Sequence, residues 1–170
     1  MRRYVLLILS IMAFVIPAYS QIQNKFFGYM FGSRMYHMED AMKDNMCTRQ
    51  TDDLTALNVD FGGLTWDYVE MGYVNDKFCD IRFHKIFLQK DSASGFFLHL
   101  KEKLDSKYSY YKILSSCNSK AVLYDDSKNV CMLTYEYSES KGGNIFWYLN
   151  LYYWNLNLDN ERMSKYDNEL

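Results

Sequence analysis

At 170 residues, with 49% apolar and 24% charged side chains, eight Gly and one Pro, the chain has the length and composition of a single globular domain. That excludes a disordered, collagen-like or multidomain array. The formal charge is −2 and no basic run stands out, so the electrostatic footprint of a nucleic-acid binder is missing.

In chain order, Arg2 and Arg3 precede an apolar stretch from Val5 to Ile16. Pro17-Ala18-Tyr19-Ser20 follows, with small residues at the third and first positions before Gln21. This is the pattern of a secretory signal peptide over residues 1–20. It implies export to the periplasm or the extracellular space, and no cysteine lies near the cut to carry a lipid anchor. Downstream, nothing approaches the roughly 18 consecutive apolar residues of a spanning helix, so no transmembrane segment is expected after cleavage. Cleavage takes two of the 19 Lys plus Arg and none of the 21 Asp plus Glu, leaving a mildly acidic body. The final Asp167-Asn168-Glu169-Leu170 does not match an endoplasmic-reticulum retention signal.

From Ser33 to Met46, Met35, Met38, Met42 and Met46 recur at helical spacing, with Ser33 as the expected N-cap. A methionine face of this kind reads as core. Lys25-Phe26-Phe27-Gly28-Tyr29 before it reads as an extended lead-in. Leu57, Val59 and Phe61 alternate with Asn58 and Asp60, Gly62-Gly63 supplies a turn, and Trp66, Tyr68 and Glu70 begin a second strand. A turn at Asn75-Asp76-Lys77 leads into a strand from Phe78 to Leu88. There Cys79, Ile81 and Phe83 share one face, while Asp80, Arg82 and His84 share the other.

Asp91-Ser92-Ala93-Ser94 opens a second helix with Phe97, Leu100, Leu104 and Tyr108 on one side. Strands follow at Tyr110 to Leu114, Ala121 to Tyr124, Val130 to Tyr137 and, after Gly142-Gly143, Ile145 to Trp154. The expectation is an α+β domain over residues 21–154, with two helices packed on one face of a mostly antiparallel sheet of about six strands, in the order α-β-β-β-α-β-β-β(-β). Residues 155–170 read as a polar C-terminal tail that frays. Gly62-Gly63 before Trp66 and Gly142-Gly143 before Trp147 lie about 80 residues apart, which fits an internal duplication or two ordinary hairpin turns.

All four cysteines, Cys47, Cys79, Cys117 and Cys131, lie beyond the signal peptide, and export permits disulfides. Three complete pairings are open. A regular hairpin at Asp125 to Asn129 would put Cys117 roughly 20 Å along the strand from the partner of Cys131, which disfavours that bridge. No CxxC spacing supports a redox motif or a zinc knuckle.

Candidate nucleophiles are Cys79 and Cys131, with His37, His84 or His99 as base. Cys79 shares a face with Ile81 and Phe83, opposite His84, so burial is the simpler reading. Asp80 and His84 stand about 13 Å apart on a strand, too far to share a metal ion. Asp80 with Arg82 reads as an ion pair. Asp52-Asp53 and Asp125-Asp126 are turn aspartates without calcium-loop spacing. No GxSxG, P-loop, HExxH or dinucleotide fingerprint occurs. No catalytic residue, metal or cofactor is assigned.

The rings are the unusual feature: 16 Tyr, 11 Phe and 3 Trp make 18% of the chain, more than one small core readily hides with every hydroxyl paired. The strand from Phe146 to Trp154 is apolar on both faces. Either Trp147, Leu149, Leu151 and Tyr153 or Phe146, Tyr148, Tyr152 and Trp154 are free to present a binding surface. Trp147, Tyr148, Tyr152, Tyr153, Trp154 and Trp66 are the candidate binding residues.

Lys25-Phe26-Phe27-Gly28 before a first helix, Phe61-Gly62-Gly63-Leu64 before Trp66, Ile81-Arg82-Phe83 in a strand, and Leu100 to Lys107 closing a second helix at Tyr108 resemble a group of short exported proteins of Bacteroides-type bacteria. The order of elements is similar to the helix-plus-antiparallel-sheet units of β-lactamase inhibitor proteins and of the outer-membrane assembly lipoprotein BamE. That resemblance implies no catalytic residues and a role in binding other proteins. The expected function is an exported, non-catalytic module that binds a protein or cell-envelope component through aromatic residues of its sheet. A glycan-binding module and a small periplasmic enzyme using Cys and His are the alternatives.

Overall fold

The computed structural model describes residues 20–50, 52–109, 111–116, 119–140 and 142–167. The signal-peptide reading over residues 1–20 falls almost wholly outside them, as does Cys117 and with it the Cys117–Cys131 question.

Strands β1 (Lys25–Phe26) and β2 (Tyr29–Met30) form a small ribbon, followed by α1 (Met35–Ala41). Then come β3 (Thr48–Arg49), β4 (Asp53–Phe61), β5 (Leu64–Val74) and β6 (Lys77–Phe87). Helix α2 (Lys90–Lys107) leads to β7 (Tyr111–Ser115), β8 (Ser119–Asp125), β9 (Asn129–Glu139) and β10 (Ile145–Asn155), and α3 (Leu156–Asp167) ends the described chain. The eight strands from β3 onward form one antiparallel sheet in the order β3-β4-β5-β6-β10-β9-β8-β7.

Two meanders therefore meet where β6 pairs with β10, at the centre of the sheet. Helix α2 carries the chain from that centre to the far edge at β7. The tight turns follow from residues that accept positive φ. Gly62 and Gly63 lie at φ 65° and 84°, and Asn75 and Asp76 at 48° and 62°. Both are two-residue hairpin connections of the kind whose twist matches the flanking strands.

Helices α1 and α2 and the β1–β2 ribbon cover one face of the sheet. Phe97 of α2 meets Tyr135 with ring centroids 5.9 Å apart, and Phe26 meets Tyr153 at 5.0 Å. Phe83 lies beneath, stacked on Phe61 at 4.3 Å and 14°. Met35, Met38 and Met42 are buried here, as their spacing implies, but α1 stops at Ala41, Arg34 rather than Ser33 precedes it, and Met46 is 64% exposed.

The expected fold needs correction. The sheet has eight strands rather than about six, and two short strands pair separately. Three helices are present among the described residues, and they do not share one face. The polar stretch after Asn155, expected to fray, holds α3, which packs across β5, β6 and β10 on the side away from α2. None of those of its residues whose exposure is described is buried. It is fastened by ion pairs, Arg162 to Asp80 and Lys165 to Asp52, so no apolar stripe announced it. The two Gly-Gly turns are not equivalent in position: Gly62-Gly63 joins the second and third strands of the β3-β4-β5-β6 meander, whereas Gly142-Gly143 joins the last two of the β7-β8-β9-β10 meander.

Candidate functional site

Strand pairing lays the open face of the sheet out in rows. Leu57, Tyr68, His84, Asn150 and Thr134 form one. Beside it run Thr55, Glu70, Arg82, Tyr152 and Met132, and then, under α3, Asp53, Gly72, Asp80 and Trp154. Alternation within each strand puts these side chains opposite the core residues.

Asp80 is 3% exposed, and a carboxylate that deep must be paired. Arg82 Nε reaches its Oδ1 at 2.8 Å, while Arg162 comes down from α3 onto Oδ2 and also holds Asp159 at 2.6 Å. Gly72 makes room for this. A Cβ built there would run into the Asp80 carboxylate and stand 2.7 Å from Arg162 Nη1.

Arg82 also contacts Asp53 at 3.2 Å and Glu70 at 3.3 Å. Burial alone would lower its pKa, but the Asp80, Glu70 and Asp53 carboxylates more than offset that and hold it above its ordinary value. Arg162 is raised in the same way against burial, chiefly by Asp80. Asp53 is raised, by burial first, with Arg82 pulling the other way.

His84 sits in the adjoining row, flat against Tyr68 at 4.4 Å and 9°, with Tyr152 edge-on at 5.7 Å. Asn150 Nδ2 donates to Thr134 Oγ1 at 3.1 Å and Glu136 Oε1 at 3.0 Å, which turns its Oδ1 to His84 Nδ1 at 2.9 Å. Nδ1 therefore carries the proton in that contact. Nε2 lies 3.3 Å from Glu70 Oε2, off the hydrogen-bond direction. Glu70 is held below the usual carboxylate range by His84 first and then by Arg82, against burial.

The candidate aromatic residues divide between the faces. Trp66 is sealed in the core at 0% exposure, its Nε1 donating to the Phe61 carbonyl at 3.0 Å, and Tyr153 is buried at 3% on the same side. Trp147 also faces the helices, half-buried and stacked on Tyr135 at 5.3 Å and 13°. Tyr148, Tyr152 and Trp154 stand half-buried on the open face. Tyr152 and Trp154 of that row, with part of Tyr153, border a groove of about 410 Å³, which runs along α3 between these residues and Met132 on the sheet and Asp159 and Arg162 on the helix.

Sequence reasoning weighed Asp80 and His84 as a metal pair, Asp80 with Arg82 as an ion pair and His84 as a base for a cysteine, and it gave no site role to Glu70, Asn150, Glu136 or Arg162. The available signal was three ionisable residues on one face of a strand whose other face is Ile81 and Phe83.

Cysteine chemistry finds little support in the geometry. Cys79 Sγ contacts Asp80 Oδ2 at 3.3 Å, and burial, then Asp80, pushes its thiol up. Cys131 lies on the covered face, where burial pushes it up to about 12. Cys47, Cys79 and Cys131 are free thiols. Among the described residues no cluster of three or more His, Cys, Asp or Glu side chains could hold a metal ion, and no helix is long and apolar enough to cross a membrane. Comparison of the chain with protein-family models, curated proteins and solved structures finds no match in any of the three.

Proposed function

We propose that the chain is an exported, non-catalytic binding module whose contact surface is the open face of the sheet, presented by Tyr148, Tyr152 and Trp154. One observation carries this reading: these half-buried rings lie along one side of a central strand, and two of them, Tyr152 and Trp154, border an open groove. Tyr and Trp supply rigid contact area at low side-chain entropy cost. Arg2-Arg3 and the apolar Val5 to Ile16 segment support export.

The surrounding charges are already paired with one another, and His84 contacts carboxylate, amide and rings rather than a nucleophile. The face therefore offers a partner ring surface edged by fixed polar groups. A protein or cell-envelope component is the partner class. The row Tyr148, Asn150, Tyr152 and Trp154, which sets an amide among the rings, with Glu136 and Thr134 on the neighbouring strand, favours a saccharide as the second reading.

Binding to a glycan array and to envelope vesicles, compared across variants, tests the proposal. The Tyr148→Ala/Tyr152→Ala variant is expected to bind at least about tenfold more weakly, the loss of two interface rings. Leu98→Ala, on exposed α2 surface, is expected to bind as the original chain does. Equal binding by the double variant overturns the assignment.

A further inference from the structure

The covered side of the sheet carries a second cavity, of about 240 Å³, where the first turn of α2 approaches β8, β9 and β10. Lys90 and Ser94 line it from the helix, Ser119, Lys120, Tyr135, Tyr137 and Trp147 from the strands, and Ser116 from the end of β7. The charged groups of this lining are all positive. Neither Lys90 nor Lys120 has an ion pair among the described residues. Tyr135 is 7% exposed and its hydroxyl has no hydrogen-bond partner, although buried hydroxyls are nearly always paired.

The N-terminus of α2 adds to the excess, because Gln89 makes no side-chain cap and the helix dipole leaves that end positive. Asp91 in the same turn offsets one of the two lysine charges. Ser94 Oγ already donates to the Asp91 carbonyl at 3.1 Å. The Lys90 and Lys120 ammonium groups and the Tyr135 hydroxyl thus converge on a cavity that has no carboxylate among its described lining residues, while the Ser116 and Ser119 hydroxyls contact each other at 2.8 Å. Trp147 provides an apolar wall, braced by Tyr135 and, at 5.2 Å, by Tyr137, with Lys90 Nζ 5.4 Å from its ring centroid.

We propose that this cavity binds an acidic sugar unit, its carboxylate or sulfate held between Lys90, Lys120 and the Tyr135 hydroxyl and its ring laid against Trp147. A cavity of this size suits one ring and its anion rather than an extended chain. The proposal is independent of the open-face reading, since the two sites share no residue and lie on opposite sides of the sheet.

Titrations followed by the Trp147 indole N–H and the Lys90 and Ser94 amide resonances test it, with glucuronate, glucose 6-sulfate, glucose and inorganic phosphate as probes. Glucuronate or the sulfate ester is expected to shift these resonances saturably, at least about tenfold more tightly than glucose or phosphate, as expected for two charge-assisted contacts. Which of the two acids binds identifies the anion. Lys90→Gln/Lys120→Gln should weaken binding by about tenfold or more.

Tyr135→Phe should weaken binding about three- to tenfold while leaving the melting temperature unchanged or higher, because it removes a hydroxyl the folded chain does not satisfy. A purely structural tyrosine would lower the melting temperature instead. The proposal is overturned if glucose or phosphate binds as tightly as the acids, if no probe shifts the resonances, or if the double lysine variant binds unchanged.

Discussion

Along β10, Leu149, Leu151 and Tyr153 point into the covered face, and Tyr148, Asn150, Tyr152 and Trp154 to the open one. The first set is buried among rings and aliphatic side chains, through contacts that are non-directional and scale with the area removed from water. The second meets a mesh of ion pairs and hydrogen bonds from β5, β6, β9 and α3. Such a mesh contributes little net stability, because charges give up hydration to enter it, yet breaking it is costly. One face thus holds the fold together, and the other fixes the positions of particular side chains.

Substitutions on the two faces should separate these roles. Phe83→Ala removes a fully buried ring packed against Phe26, Phe61 and Trp66, and should cost about 3–5 kcal/mol in denaturant unfolding. On the open face, Arg162→Met leaves Asp80 with Arg82 alone. It should cost about 1–3 kcal/mol and make the chain beyond Asn155 cleavable by protease at concentrations that leave β10 intact. A loss as large as that of Phe83→Ala would mean the ionic face carries the fold. Tyr152→Ala should cost about 1 kcal/mol or less, its effect falling on binding.

Acid titration sharpens the contrast. Glu70 has a lowered pKa in the folded chain, so its ionisation adds stability that is present above about 4.3, the ordinary glutamate value, and is lost as pH falls through the folded value. Asp53 is raised, so the stability it adds is present below about 3.9, the ordinary aspartate value, and is lost as pH rises through its folded value. Carboxyl carbon NMR should therefore show Glu70 titrating below other glutamates and Asp53 above other aspartates. The opposite displacement of either would contradict the network. The smallest effect concerns thiols: half-buried Cys47 should alkylate in the native chain, while Cys79 and Cys131 wait for unfolding.

Much of the covered side was legible in the sequence, because burial leaves a period. Met35, Met38 and Met42 showed it for α1, Phe97, Leu100 and Leu104 for α2, and Ile81 and Phe83 for β6. What escaped was held by pairwise charge at long sequence separation. Arg162 and Asp80 meet only after the chain has folded, and a helix fastened by such pairs carries no apolar stripe to read. The open face was half legible: alternation offered two rows on β10, but only the placement of α1 and α2 decides which row is covered.

The claim that the rings at the centre of the covered side are sealed while those of the open side are available is tested most directly by hydroxyl-radical footprinting of the free chain. Tyr148, Tyr152 and Trp154 should oxidise at least about tenfold faster than Trp66 and Tyr153, in keeping with the burial contrast across one pleat. Comparable rates for the two sets, or protection of Tyr148, Tyr152 and Trp154 in the free chain, would contradict it.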